Sequence, residues 1–325
     1  MTVKEHILAL LDSNKGEYFS GEEIAVQLSV TRSAVWKAIK SLQTDGYSIQ
    51  AVTNKGYSMS PQTDILSASA ISKYLDTQGQ KLRVEVFKTI SSTNEAVKNL
   101  ASNGEAEGKV ILSEEQTAGR GRMGRKFFSP PGTGIYMSIL LRPKLSATDS
   151  ALLTTCAAVA VALSIESVSS KETQIKWVND VFMEGKKVCG ILTEASVSLE
   201  NGWLDYAVLG IGINVVLPSE GFPNDLTEIA TTVISENNPY GDLRNRLVAE
   251  VLNNFMRYYE HLTDRLFLSE YKKRLISLGE PVTVIKDNEQ RKATAIDIDD
   301  DCHLKVRYEN GDEEYLSSGE VSIKI

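Results

Sequence analysis

An α+β fold in three consecutive units is expected of these 325 residues. Residues 1 to 60 carry apolar side chains at helical spacing and then a short hairpin pattern. The middle of the chain alternates strand-like and helical runs, and everything after Pro281 reads as β.

The first unit predicts three short helices. Ile7, Leu8 and Leu11 mark the first. A capping box opens the second: the Ser20 hydroxyl can accept the Glu23 amide while Glu23 reaches back, and Ile24 and Leu28 follow on one face. The third starts at Thr31 and carries Val35, Ile39 and Leu42 at i, i+4 and i+7, which leaves Arg32, Ser33, Lys37 and Lys40 on the far side. Asp45-Gly46 ends it. Tyr47 to Val52 and Tyr57 to Met59 then read as strands around the turn Thr53-Asn54-Lys55-Gly56. This is the order of a winged helix-turn-helix. Such a unit lays its last helix in a DNA major groove, and Arg32, Ser33, Lys37, Lys40 and the wing residue Lys55 are the expected contacts. The unit is neutral, six bases against six acids, so use of the same fold for protein contacts stays open. One neutral module gains little phosphate affinity, so DNA binding as a dimer is expected.

Ser60-Pro61-Gln62-Thr63-Asp64 reads as a linker. Beyond it, strands are expected at Leu82 to Phe87, Val110 to Ser113, Ile135 to Leu141, Gln174 to Val178, Val188 to Glu194 and Tyr206 to Val215, with a turn at Glu184-Gly185. Helices are expected at Ser92 to Ser102, Asp149 to Val168, Leu243 to Leu262 and Leu268 to Ser277. In the tail, Val282 to Ile285, Ala295 to Ile298, Leu304 to Tyr308 and Val321 to Ile325 are strand-like, punctuated by Asp287-Asn288 and Asn310-Gly311-Asp312, and fit a small SH3-like barrel. The expected divisions are residues 1–62, 63–278 and 279–325.

The composition, 42% hydrophobic and 24% charged with a net charge of -8, is that of a globular protein with more than one core. The nearly apolar run Ala151 to Ile165 falls short of the roughly 20 residues of a bilayer span. No signal peptide is read at the N-terminus, and a cytoplasmic protein without membrane contact is expected. Cys156, Cys189 and Cys302 and the three scattered histidines draw no zinc cluster. Buried thiols are expected, with a catalytic Cys–His pair left open by sequence distance alone.

The most informative stretch is Gln116-Thr117-Ala118-Gly119-Arg120-Gly121-Arg122-Met123-Gly124-Arg125-Lys126. Three glycines and four cations within eight residues give a backbone that can approach closely and charges that call for an anion. It matches neither the Walker A nor the Rossmann spacing. A ligand lid, an arginine-rich nucleic-acid contact and a solvated loop all satisfy this composition. Thr89 to Glu95 leaves a strand and opens a helix, so Ser92, Thr93 and Asn94 are either donors at a helix N-terminus or, with Glu95, merely a capping box. Lys176 to Asp180, Gly185 to Leu192 and Gly210 to Val215 mark three more polar or glycine-bearing points in apolar strands, and one pocket on a sheet accounts for all four.

SSTNE, EQTAGRGRMGR, KWVND, GKKVCGIL and GIGINV, in this order behind a winged helix, resemble the bifunctional biotin protein ligases that repress biotin operons. The resemblance spans essentially the whole chain. It implies a central mixed-sheet domain of the biotin/lipoyl ligase type. The reaction it implies joins biotin and ATP as biotinyl-5'-adenylate, with Mg2+ on the triphosphate, and passes biotin to a lysine of the biotin carboxyl carrier protein of acetyl-CoA or pyruvate carboxylase. It further implies operator DNA of biotin genes as a partner, a homodimer formed on adenylate binding, and no tightly bound prosthetic group. A non-enzymatic biotin sensor and a lipoate or octanoate transferase of the same fold are the alternatives. By the same resemblance, Ser92, Thr93, Asn94 and Gln116 bind the biotin head group, and Arg120, Gly121 and Arg122 close over it. Lys187 lies between carboxylate and α-phosphate, and catalysis falls to Lys187, Arg122 and Asp180. Arg122, Arg125, Phe127, Asn179 and Asn214 serve the nucleotide, and no residue is assigned as a metal ligand. Two positions depart from the family: Val178 stands for the usual proline and Phe127 for tryptophan. Phe127 should still stack on an adenine, less strongly than an indole.

Overall fold

The computed structural model describes residues 2–198, 200, 202–234, 241–286, 289–317 and 320–323. Its first unit packs α1 (Val3–Ser13), α2 (Gly21–Gln27) and α3 (Arg32–Thr44) against the hairpin β1 (Ile49–Val52) and β2 (Gly56–Met59). Capping boxes close α1 and α2, the second made by Ser20 and Glu23 as the sequence predicts. Ile7, Leu11, Ile24, Val35, Ile39, Leu42 and Met59 form its own core. Gly56 cannot be replaced freely: its φ is +103°, and a Cβ there would stand 2.1 Å from the Phe19 carbonyl oxygen.

The expected linker is pinned. Thr63 and Asp64 are buried, and a helix too short to show in the sequence, α4 (Ala68–Ser72), follows and packs on α1. Lys73 pairs with Asp12 across this junction, Lys15 pairs with Asp242, and the Lys15 amine also donates to the Thr63 carbonyl at 3.0 Å.

A seven-stranded sheet organises the middle. Its strands are β3 (Arg83–Phe87), β4 (Lys109–Ser113), β5 (Gly134–Leu141), β6 (Gln174–Lys176), β7 (Asp180–Met183), β8 (Lys186–Val197) and β9 (Leu204–Asn214), in the spatial order β3-β4-β5-β9-β8-β7-β6. Only β3 and β4 run parallel. Between β3 and β4, α5 (Thr93–Ser102) lies on one face, over Ile111, Leu140 and Val208. The other face carries α6 (Ala151–Ser169), apolar all round and packed against α7 (Leu243–Tyr259) and α8 (Leu268–Arg274). A helix apolar on every side needs cover on every side, and α6 has it within the fold. Strand β7 was not expected: Val181, Phe182 and Met183 are too short a run to separate from the turn before them. Helices α7 and α8 each end three residues before the sequence suggested.

The tail forms a five-stranded antiparallel sheet, β10 (Pro281–Lys286), β11 (Glu289–Ile298), β12 (Leu304–Tyr308), β13 (Glu313–Leu316) and β14 (Glu320–Ile323), ordered β13-β12-β11-β10-β14. Strand β13 is additional to the reading above. The expected turn at Asp287-Asn288 and the last two residues of the expected strand Val321 to Ile325 lie outside the described residues. The tail shares its core with the middle unit, and the Trp177 indole donates to the Cys302 carbonyl at 3.0 Å.

At the centre of the junction, the Arg244 guanidinium, 2% exposed, pairs with Asp64 at 3.0 Å and with Glu114 at 2.7 Å. Burial, the largest influence, together with repulsion from Glu114, pushes the Asp64 carboxyl up to about 6 in spite of Arg244. A carboxyl that holds its proton more tightly in the native than in the unfolded chain stabilises most below the unfolded value, and loses that contribution as pH rises through the native one. Unfolding free energy should therefore gain an Asp64 contribution as pH is lowered from 7 to 5. Denaturant titrations of wild type and Asp64→Asn should show that slope in the first and not the second; parallel pH profiles would refute it.

Candidate active site

Two cross-strand rows, two residues apart, form the floor of the site. One row runs Leu192, Gly210, Ser138 over β8, β9 and β5, and the other runs Asp180, Gly190, Gly212, Tyr136 over β7, β8, β9 and β5. Side chains alternate across a strand, so Cys189, Ile191, Ile211 and Ile213 point into the core under α6 and the intervening glycines face the site. The missing side chains are needed. A Cβ on Gly210 would lie 2.1 Å from Asn94 Oδ1, and one on Gly212 would lie 2.6 Å from the Phe127 ring.

Over the first row sits a buried polar cluster at the start of α5. The Thr93 amide and hydroxyl both donate to Gln116 Oε1, at 2.9 and 3.1 Å, and the Ser138 hydroxyl donates to Asn94 Oδ1 at 2.6 Å. Asn94 in turn donates to Glu194 at 2.8 Å, and Lys98 holds the other Glu194 oxygen at 2.8 Å. Burial works to raise the Glu194 carboxyl, but the hydrogen bonds from Lys98 and Asn94 together outweigh it and leave the group below the usual range. Ser92 is buried and makes no side-chain cap to α5, so the capping-box reading of Ser92 and Glu95 fails; Glu95 instead faces Arg120 at 3.5 Å. Ser138, Lys98 and Glu194 were absent from the sequence-based set. Strand pairing, which a local pattern does not reveal, brings Ser138 and Glu194 here, and Lys98 follows Asn94 by one turn of α5.

Over the second row opens a cleft of about 670 Å³. Arg120, Arg122, Arg125, Lys126, Lys176, Lys186 and Lys187 line it, against the carboxylates Asp180, Glu184 and Glu228, so an anion is its natural occupant. Residues Gly119 to Lys126 fold back as a narrow turn, with Gly121 N–H bonded to the Arg125 carbonyl at 2.7 Å and Phe127 N–H to the Gly119 carbonyl at 3.0 Å. The turn reaches across the cleft, where Arg122 donates to Asn179 Oδ1 at 2.8 Å. Lys187 meets the neighbouring residue, its amine 2.8 Å from Asp180 Oδ1. Asn179 also donates to Asp180, and the Trp177–Val178 peptide just before is cis.

Lys187 owes its direction to a bulge. Val181 pairs with Cys189 but Phe182 pairs with Lys187, so Val188 is an extra residue on β8. Strict alternation would turn Lys187 into the core with Cys189. Instead its Cε lies 3.1 Å from where a Gly190 Cβ would stand, on the cleft side. The Lys187 backbone is also fixed on its far edge, donating to the Ile229 carbonyl and accepting from Thr231 N–H, both at 2.9 Å. That segment brings Phe222, Leu226, Ile229 and Ala230 to the cleft wall, and Asn214 donates to the Thr231 carbonyl at 3.2 Å.

The structure thus gathers Arg120, Gly121, Arg122, Arg125, Phe127, Asn179, Asp180, Lys187 and Asn214 around one cleft. Ser92, Thr93, Asn94 and Gln116 lie outside its lining, in the adjoining polar cluster. The Phe127 ring stands over Gly212 and Gly190, beside that cluster, edge-on to Tyr136 at 6.3 Å. A thiol nucleophile does not fit: all three cysteines are buried, and burial raises each thiol, Cys302 to about 11. In the first unit, Arg32, Ser33, Lys37, Lys40 and Lys55 are all exposed.

Residues 86–214 match the model of the biotin/lipoate A/B protein ligase family, residues 3–58 an HTH domain, and residues 277–324 a biotin protein ligase C terminal domain. The chain is 37% identical over 263 residues to the bifunctional ligase/repressor BirA of Bacillus spizizenii, covering 81% of this chain and 80% of that protein. It is 38% identical over 232 residues to the protein of the same name from Bacillus subtilis, covering 71% of each. Among solved structures, the biotin protein ligase of Aquifex aeolicus in complex with biotin and ATP superposes with a TM-score of 0.59 at 25% identity, over 74% of this chain and 98% of that one. A point mutant of that ligase, in complex with biotin, gives a TM-score of 0.62 at the same identity and coverage.

Proposed function

We propose, from the premise that the chain belongs to the family of bifunctional biotin ligase/repressors, how its residues divide the work of ligation and repression. The protein is a biotin protein ligase with an N-terminal repressor domain. Its reaction joins a biotin carboxylate oxygen to the α-phosphorus of ATP as the bond to pyrophosphate breaks. A carrier lysine amine then attacks the acyl carbon, AMP leaves, and the amine loses a proton.

The observation that carries the assignment of the site is convergence: the arginine turn and Lys187 reach adjacent residues, Asn179 and Asp180, from opposite walls of one cationic cleft. Two anions must meet in the first step, so positioned positive charge is the main demand on the protein. Lys187 is placed between the carboxylate and the α-phosphate, Arg122 closes from above, and Asp180 orients Lys187 before substrate arrives. The Ser92, Thr93, Asn94 and Gln116 cluster takes the polar head of biotin. Arg120 and Gly121 cover it, and Arg125, Asn179, Asn214 and the Phe127 ring serve the nucleotide. Magnesium would supply charge neutralisation on the triphosphate. Among the described residues no group of three His, Cys, Asp or Glu could hold a metal, so phosphate oxygens would be its main ligands, with Asp180 the carboxylate nearest Lys187.

Residues 1–62 act as the DNA-binding unit, 63–278 as the ligase and 279–325 as a C-terminal unit. Operator binding is by a homodimer favoured when adenylate is bound, which requires adenylate to prefer the dimer-competent state. The partners are the biotin carboxyl carrier protein and operator DNA, both in the cytoplasm. Biotin-dependent exchange of labelled pyrophosphate into ATP tests the ligase. Exchange with biotin and not lipoate is expected; no exchange would leave a biotin sensor, and exchange with lipoate alone would leave an acyltransferase of the same fold.

A further inference from the structure

Helix α3 buries Val35, Ala38, Ile39 and Leu42 and turns Arg32, Ser33, Trp36, Lys37 and Lys40 to solvent. At 3.6 residues per turn these five span an arc of roughly 140°, with Trp36 between Arg32 and Lys40. Trp36 is 53% exposed, although leaving so much apolar surface in water costs stability, and the described residues leave it uncovered to that extent. Arg32 is not withdrawn from this face by its neighbour Glu22, 3.5 Å away, since both side chains stay largely exposed. Arg32 is the first residue of α3, so Trp36 belongs to the N-terminal turns that a helix-turn-helix presents to base edges.

An apolar ring encircled by cations needs a partner that is anionic around its rim and apolar at one point inside. A second copy of this surface would bring the same cations face to face. The major groove satisfies both demands, because phosphates flank it and the 5-methyl of thymine is the apolar group projecting from its floor. We infer that Trp36 is a base-reading residue whose indole meets a thymine 5-methyl in the major groove, fixing a thymine preference at one position for each bound copy of the protein. This rests on the reading of residues 1–62 as the DNA-binding unit and adds the recognised base to it.

The test starts from duplexes selected out of a random 40-base-pair library by the full-length protein with biotin and ATP. Wild type should enrich thymine at a fixed position, and Trp36→Ala should select without that preference. On a selected duplex, replacing that thymidine by deoxyuridine removes only the methyl. It should weaken wild-type binding about fourfold, the worth of one buried methyl group. Trp36→Ala should bind both duplexes alike and keep wild-type biotin-dependent pyrophosphate exchange. A Trp36→Ala selection identical to that of wild type, or equal deoxyuridine losses in both proteins, overturns the assignment while leaving DNA binding intact. A changed sedimentation mass with unchanged base preference overturns it in favour of a protein contact. If wild type enriches no sequence at all, the DNA-binding reading falls and takes Trp36 with it.

Discussion

Lys187→Ala should lower biotin-dependent pyrophosphate exchange by about 10² or more, the loss seen when one positioned electrostatic group is removed from a site where charge develops. The residue is well held for that task. Its backbone N–H and carbonyl are both bonded to the 229–231 segment, at Ile229 and Thr231, and its amine waits on Asp180. Lys187→Arg keeps the charge but replaces a compact ammonium by a planar fork, so it should recover only part of the loss. The neighbouring Lys186→Ala should lose far less. Its amine donates to the exposed Thr227 carbonyl, and the bulge gives Lys187 the place opposite Phe182, on the Gly190 side, that unbroken alternation along β8 would have given to residue 188. Single-turnover measurement of adenylate formation separates the variants. A Lys187→Ala rate within threefold of wild type would remove this lysine from the chemical step.

That bulge also shows where the sequence stops informing. The structure brings the arginine loop, Asn179, Asp180, Lys187 and Asn214 of the motif strings around one cleft, and helical spacing placed α1 to α3 and the long α6 closely. Those signals are local: a cap, a period, a glycine beside an arginine. The direction of Lys187 depends on how β8 pairs with β7, and β7 itself is four residues that look like the continuation of a turn. Ser138 and Glu194 join the site only because β5, β9 and β8 are neighbours in the sheet, which sets Ser138 opposite Gly210 and Gly210 opposite Leu192. Gly210 and Gly212 are visible in the sequence as side-chain-free positions that cost a strand stability, and Gly190 only as part of a glycine-bearing run. Their use, as floor beneath Phe127 and Asn94, was not visible until those side chains could be placed against them. Conversely, the polar stretch Ser60 to Asp64 has the composition of a free linker and is instead anchored, since composition says nothing about a partner 180 residues away.

The largest loss of stability should come from that anchor. Arg244 donates from its backbone to Asp64 Oδ1 at 2.9 Å, from Nε to Asp64 Oδ2 at 3.0 Å, and from Nη1 to Glu114 at 2.7 Å and to the Gly134 carbonyl at 3.3 Å. Glu114 also accepts the Leu66 amide at 2.6 Å. One guanidinium therefore holds together the entry from the DNA-binding unit, the end of β4, the first residue of β5 and the start of α7. Arg244→Ala would leave the buried Asp64 and the partly buried Glu114 with their shared cation gone, and breaking a buried pair from one side costs about 3–5 kcal/mol. For a unit of this size that is a fall of about 10 °C in melting temperature. The loss should shrink as pH drops, because protonating Asp64 relieves the variant more than the wild type. Adding Asp64→Asn and Glu114→Gln to Arg244→Leu should recover much of the stability, since no buried charge is then left unpaired. Glu114 lies two residues before Gln116, at the root of the arginine turn, so Arg244→Ala should also raise the KM for biotin more than it lowers kcat. Calorimetry at pH 7.5 and pH 5.5 decides the matter. A cost below about 1 kcal/mol that does not change with pH would show that the junction is held by its other pairs, Lys15 with Asp242 and Lys73 with Asp12, and not by Arg244 with its two carboxylates.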